Sequence, residues 1–119
     1  MKARPLIHHL PFLAEHRPTF ELIRSGRKEI ETRAGSPAYL QIQPGDMIEF
    51  SCGTGKIRRR VKQVEHYKDF AGLFAAYAPQ EINPDQSDAA AMQKKYLSFP
   101  GYGQRLKEYG ILVFSLEEI

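Results

Sequence analysis

A single cysteine, Cys52, occurs in the whole chain. That excludes an internal disulfide and fits a reducing, cytoplasmic setting. No apolar run approaches the ~20 residues that a membrane-spanning helix requires, so no membrane partner is expected. The stretch Leu6–Leu13 is too short, and too interrupted by His8, His9 and Pro11, to read as a signal peptide. Histidines are few and poorly spaced for a metal. His8 and His9 are adjacent, so a strand would turn them to opposite faces, and His16 and His66 have no cysteine partner. Neither a metal nor any other cofactor is therefore expected. Internal repeats and low-complexity tracts are also missing. Gly53-Thr54-Gly55-Lys56 lacks the spacing of a phosphate loop, has Ile57 where Ser or Thr belongs, and reads as a hairpin turn.

What remains is one ordinary domain over residues 1–119. A chain of 119 residues can bury roughly two-thirds of its unfolded surface without staples. Its charge is uneven: residues 1–68 hold 13 Lys and Arg against 7 Asp and Glu, whereas residues 69–119 hold 4 against 7. A cationic half on a small domain points to an anionic partner, nucleic acid first.

Pattern and punctuation give the elements. Pro5–Leu10 reads as a short first strand. Arg17-Pro18-Thr19 opens a helix, with Pro18 at its first position, and Phe20 and Ile23 face inward. Gly26 stops that helix. A strand follows at Lys28–Arg33, then a break at Ala34–Pro37 and a weak extended piece at Tyr39–Ile42. Pro44-Gly45-Asp46 turns into a strand over Met47–Cys52, paired through Gly53–Gly55 with a long arm from Lys56 to Tyr67. Asp69 caps a helix over Phe70–Tyr77. Asn83-Pro84-Asp85 carries the signals of a second helix start, with Ala89, Met92 and Tyr96 at helical spacing and Pro100-Gly101 as the stop. Tyr109–Leu116 is apolar nearly throughout and reads as a central strand. The expected fold is α+β: a small, partly closed barrel of about five or six mostly antiparallel strands with flanking helices.

The densest chemistry lies in Gly26–Arg33, Gly-Arg-Lys-Glu-Ile-Glu-Thr-Arg. Strand alternation turns Ile30 to the core and puts Glu29, Glu31 and Arg33 on the other face, with Lys28 free to lean either way. Glu31 and Arg33 are near enough to hydrogen-bond each other. A paired carboxylate and guanidinium beside a cleft suits a nucleobase, accepting from exocyclic amines and donating to carbonyls or phosphate. The same pattern also describes a solvated ion pair worth about 0–1 kcal/mol.

These residues, with their surroundings, resemble the ASCH (activating signal cointegrator homology) domain of the PUA-like superfamily. The resemblance rests on Phe20–Lys28 with Glu31 and Arg33, on Pro44–Phe50, on Val64–Phe70 and on Tyr109–Phe114, in that order. The pairing of G-x-K-x-x-E-x-R with a following G-D-x-I-x-F strand is its most specific part. It implies a small β-barrel with flanking helices and a cleft lined by Lys28, Glu31 and Arg33. RNA or a modified nucleoside is the implied ligand. It also puts the first strand beside the cleft, so that His8 or His9 could reach ligand, His9 being the candidate carried forward.

Some small ASCH proteins are N4-acetylcytidine amidohydrolases, in which the motif lysine assists a threonine nucleophile and a distal glutamate completes the site. Here Lys28 matches the lysine, but Glu31 occupies the threonine position. Thr32 is next to it and is expected to face the core side. Glu81 or Asp85 would have to supply the distal acid. If the chain is an enzyme, Lys28 and Glu31 are the catalytic candidates, as a lysine base and a water-activating carboxylate. A ribonuclease is a further alternative suggested by the family.

Three other groups complete the reading. Lys56, Arg58, Arg60 and Lys62 alternate onto one strand face, ~7 Å apart, as a track for phosphates or as a solvated face. Arg59 falls among the apolar positions; either a bulge turns it outward or it reaches the cleft. Tyr96, Phe99 and Tyr102 either stack on a base or pack a helix end, and Tyr102 is retained as a ligand candidate. The expected partner is thus RNA or a nucleoside-like small molecule.

Overall fold

A computed structural model describes residues 5–119. In chain order its elements are β1 (Ile7–Pro11), α1 (Arg17–Arg24), β2 (Ile30–Ala34), β3 (Met47–Cys52), β4 (Gly55–Tyr67), α2 (Phe70–Ala76), α3 (Pro79–Ile82), α4 (Ala89–Leu97), α5 (Tyr102–Tyr109) and β5 (Ile111–Glu117). Single 3-10 turns lie at Ala14–His16 and Tyr39–Gln41. The five strands form one sheet in the order β1-β3-β4-β5-β2. The sheet is mixed rather than mostly antiparallel in kind. β3–β4, β4–β5 and β2–β5 run antiparallel, but β1 lies parallel to β3 with Leu10 opposite Phe50.

A bulge lets β4 serve two partners. Val61 pairs with Leu116 and Gln63 with Ser115, which leaves Lys62 as the extra residue. The first half of β4 zips onto β3 and the second half onto β5, and an extra residue at the change-over bends the strand and increases its twist. The sheet therefore curls into a half-barrel whose edges are β1 and β2.

Two hydrophobic clusters occupy the two faces of this sheet. Inside the curl, Phe20 and Ile23 of α1 pack with Leu10, Ile48, Phe50, Val61, Leu112, Phe114 and Leu116. On the other face, Phe70, Leu73, Ile82, Met92 and Tyr102 of the later helices pack on Ala34, Ile111 and Val113. Alternate residues of β5 enter the two clusters, which accounts for its nearly unbroken apolar sequence.

Several local expectations change. Tyr39–Gln41 is a 3-10 turn, not an extended piece. Asn83-Pro84-Asp85 does not open a helix. The Asn83 carboxamide accepts from the Asp85 N–H (3.0 Å), making a local turn. The helix waits for Asp88, whose carboxylate accepts from the Ala90 and Ala91 N–H groups (2.9 and 3.3 Å). Beyond Pro100-Gly101 a further helix, α5, precedes the last strand, so Tyr109 ends a helix rather than beginning a strand.

Candidate functional site

The site begins with the way α1 ends. Gly26 takes a left-handed conformation (φ 83°), which a side chain would resist. Its N–H donates to Ile23 O (3.1 Å), and the Lys28 N–H then donates to Leu22 O (3.0 Å). Orphan carbonyls of the last helical turn are thereby satisfied. The same closure fixes the direction in which Lys28 leaves the helix. Its side chain runs inward to 3 % exposure. The ammonium donates to Ile30 O and Ile82 O, both at 2.5 Å, and lies 3.6 Å from a Glu31 carboxylate oxygen. Three acceptors around one nitrogen suit an ammonium, since a neutral amine has only two N–H groups to give. Burial pulls Lys28 below the usual lysine value and Glu31 opposes that shift.

Glu31 is 5 % exposed and surrounded by donors. Besides Lys28 it accepts from the Thr32 N–H (3.2 Å) and from the Arg33 Nε (3.1 Å), with Arg33 Nη2 at 3.1 Å. Arg33 in turn reaches across to Pro11 O (3.5 Å) and lies over the Phe12 ring, 5.0 Å from its centroid. A guanidinium held by a carboxylate and stacked on an aromatic face is oriented on both sides. Arg33 therefore bridges β2 and β1, the two edges of the half-barrel.

A cavity of about 430 Å³ opens at this gap, within the range of small-molecule sites. One side is the inner face and its approach: Phe12, His16, Lys28, Glu31 and Arg33. The other is formed by Thr32, Tyr96, Phe99, Tyr102 and Arg105. Thr32 shares a strand face with Ile30 and Ala34, which pack on the helical side. It lines the cavity as well because the space wraps around an edge strand. The His16 and Phe99 rings meet at 4.9 Å, joining the two walls.

Four cationic side chains (Lys28, Arg33, Lys95, Arg105) line this space against two carboxylates, Glu15 and Glu31. Among the described residues, the buried side-chain polar atoms without a hydrogen-bond partner are Thr32 Oγ1, Tyr102 OH and Arg105 Nε, and all three residues line the cavity. Burial pushes the Tyr96 phenol up to about 12 and raises Tyr102 further. Both hydroxyls are therefore protonated donors at neutral pH.

The structure brings Lys28, Glu31, Arg33 and Tyr102 together. Other candidates lie elsewhere. His9 is exposed and faces Glu49 (3.3 Å). Arg58 points outward, 3.8 Å from the same carboxylate, and Arg60 is exposed on the same side of β4 as Lys56 and Lys62. Arg59 neither turns outward at a bulge nor reaches the cleft. Its guanidinium donates to Ile23 O and Arg24 O (3.3 and 3.2 Å), capping the C-terminus of α1. Glu81 accepts from the Ala78 N–H and Asp85 pairs with Arg27, both outside the cavity. Sequence reasoning passed over Arg105, although Tyr102, Arg105 and Leu106 stand at i, i+3, i+4 and so share one face of a helix.

An α+β domain with an open, curled sheet and a charged cavity at its gap is consistent with a PUA-like fold. The ASCH domain family model matches residues 13–118, and the chain belongs to that family. Two solved structures are similar to it. A crystal structure of the hypothetical protein PH0355 has 28% identity and a TM-score of 0.81, over 96% of this chain and 100% of that one. A solution NMR structure of protein PF0455 from Pyrococcus furiosus has 25% identity and a TM-score of 0.72, over 94% and 96%. No curated protein matches.

Proposed function

We propose that this chain is a binding domain that takes RNA or a nucleoside-like ligand into the cavity between β1 and β2. The observation that carries the proposal is the composition of that cavity. Aromatic rings, an excess of cations and three buried, unpartnered polar groups share one space. Aromatic faces suit a base, at about 1–3 kcal/mol for each stacked base. Cations suit phosphate. Buried polar groups without partners cost stability unless something completes their hydrogen bonds. The exposed row of Lys56, Arg58, Arg60 and Lys62 on β4 supplies attraction at longer range. The test is a thermal-shift and calorimetric screen against nucleosides, modified nucleosides and short single-stranded RNAs at low and moderate salt. Binding that saturates and weakens with salt supports the proposal. A flat thermal response to every compound refutes it.

One observation favours a second reading, hydrolysis of N4-acetylcytidine-like nucleosides. The Thr32 hydroxyl lines the cavity without a hydrogen-bond partner, next in sequence to Glu31 and in the same cavity as the Glu31–Lys28 pair. Against it, the Lys28 ammonium is committed to two carbonyls, and neither Glu81 nor Asp85 lines the space. Incubation with N4-acetylcytidine, with chromatography for cytidine, decides the matter. Product formed by the wild type and lost in Thr32→Val supports hydrolysis, and no product above the blank ends it.

A further inference from the structure

The three unpartnered polar atoms come from elements far apart in sequence: Thr32 on β2, and Tyr102 and Arg105 one turn apart on α5. They converge on the side of the cavity opposite the Lys28–Glu31–Arg33 cluster. The cluster is internally satisfied, since each charge in it already has partners. Tyr102 and Thr32 are 4 % and 7 % exposed, so water offers little compensation; the Tyr96 hydroxyl approaches Thr32 without closing a well-formed hydrogen bond, and the Tyr102 hydroxyl has no partner. Arg105 makes no hydrogen bond or ion pair among the described residues, whereas Arg33 holds Glu31 through Nε and Nη2 and reaches Pro11 O through Nη2. Cavity-lining groups that fold into place without partners are suited to receive them from a ligand.

The chemistry of the missing partner follows from the donors. A guanidinium presents N–H groups in a planar fork and has no acceptor. Both hydroxyls are protonated at neutral pH and can turn their hydrogens outward. Donors of one kind from two elements, β2 and α5, call for several oxygen acceptors on one compact anion. A phosphate offers non-bridging oxygens around a tetrahedral centre, and a planar carboxylate offers only two in one plane. The start of α5 lies at the same place, with Tyr102 its first residue, and adds the positive end of a helix dipole.

We infer that Thr32, Tyr102 and Arg105 form a phosphate subsite, so that the cavity takes a phosphorylated nucleoside in preference to the bare nucleoside. This rests on the binding function proposed above, and names which part of the ligand each wall meets. The base lies toward the Glu31–Arg33 side and the phosphate toward α5.

The test is calorimetry and thermal shift with wild type, Thr32→Val, Tyr102→Phe and Arg105→Gln. The probes are adenosine, cytidine, guanosine and uridine, their 5′- and 3′-monophosphates, a dinucleoside phosphate, and inorganic phosphate alone. At least one monophosphate should bind the wild type ten-fold or more tighter than its nucleoside, and Arg105→Gln should abolish that advantage. Without ligand, Tyr102→Phe should melt at or above the wild-type temperature, because it removes an idle polar group, and Thr32→Val should melt close to it, because the Tyr96 hydroxyl is the one polar group beside Thr32. With the monophosphate, each should show a smaller upward shift than the wild type. Equal affinity for nucleoside and monophosphate overturns the subsite while leaving the binding function intact. So does an advantage that survives Arg105→Gln. Inorganic phosphate that stabilises wild type but not Arg105→Gln, with no nucleoside bound, upholds the subsite and refutes the nucleobase reading. No response to any probe refutes both. If the dinucleoside phosphate competes as well as the monophosphate, the subsite accepts a chain's diester; if only the monophosphate binds, it takes a terminal group. Either result upholds a phosphate site and identifies its source.

Discussion

Replacing Lys28 with methionine tests whether the buried charges hold the site together. Methionine is unbranched and adaptable, so it fills much of the same path. What it removes is an ammonium bound to Ile30 O, Ile82 O and Glu31. Breaking one side of a buried ion pair costs about 3–5 kcal/mol, because the other charge stays buried. Arg33 still holds Glu31, so the lower end, about 3 kcal/mol, is expected. With a urea m-value of about 1–3 kcal/mol/M, the unfolding midpoint should fall by 1 M or more. Glu31→Gln alone should also destabilise, since it strips Lys28 and Arg33 of their shared carboxylate. The double variant should be more stable than the sum of the two losses predicts, by about 0.5–3 kcal/mol. Urea unfolding followed by circular dichroism measures all four corners of the cycle.

The pH dependence adds an independent check. Burial depresses the Lys28 ammonium below its ordinary value of 10.5, so the folded chain holds that proton less tightly than the unfolded chain. Between the depressed value and 10.5, the unfolded state binds more protons and stability rises with pH. Lys28→Met should lack this rise. The reasoning fails if both single variants unfold within about 0.5 kcal/mol of the wild type, or if the double variant is additive within about 0.3–0.5 kcal/mol.

The remaining expectations are more local. Tyr96 has a folded-state value of about 12 against 10.0 unfolded, so its contribution is present below pH 10 and lost as pH rises toward 12. By pH 12 wild type should have lost about 2–3 kcal/mol more than Tyr96→Phe, measured by denaturant unfolding at pH 9 and near 12; parallel losses refute the assignment. Gly110 joins α5 to β5 with φ 75°, where an added Cβ would fall on Tyr67 O and against the His66 ring, so Gly110→Ala should cost more than about 3 kcal/mol or prevent folding. A soluble expression yield and melting temperature equal to wild type would contradict this. Changing Lys56, Arg58, Arg60 and Lys62 together to glutamine should lower the salt slope of single-stranded RNA binding by up to about 3, at ~0.7 for each phosphate contact. An unchanged slope removes the row from the binding surface.

Much of the fold was legible because it is written in local signals. Pro18 and Gly26 frame α1, Gly53–Gly55 turn a hairpin, and the two-sided burial of β5 is visible in its apolar run. The parallel pairing of β1 with β3 was not, because alternation says which face a residue takes and not which strand lies beside it. Helix α5 escaped notice because its sequence is mostly polar. Only Tyr102 of its eight residues is buried, so its apolar stripe is thin. The burial of Lys28 depends on Ile82 O, a carbonyl 54 positions away, and no local pattern carries that. Arg105 is an ordinary polar residue of a polar helix until the fold brings it to the same cavity as Thr32.

The charged segment also answers a structural problem. An open half-barrel leaves two edge strands with unpaired backbone groups, which invite unwanted pairing. Here the edges are managed by cations. On β2 the Ile30 carbonyl accepts from Lys28, and on β1 the Pro11 carbonyl accepts from Arg33. Closing the barrel by pairing β1 directly with β2 would satisfy the same strands and leave no cavity between them. Side chains replace that pairing and hold the gap open, with Glu31 neutralising part of their charge. Lys28, Glu31 and Arg33 are thus occupied in keeping the site's shape, and substitutions there will affect folding and binding together. Thr32, Tyr102 and Arg105 have no such duty. Their substitution separates the two effects, leaving the fold and removing what it holds out to a ligand.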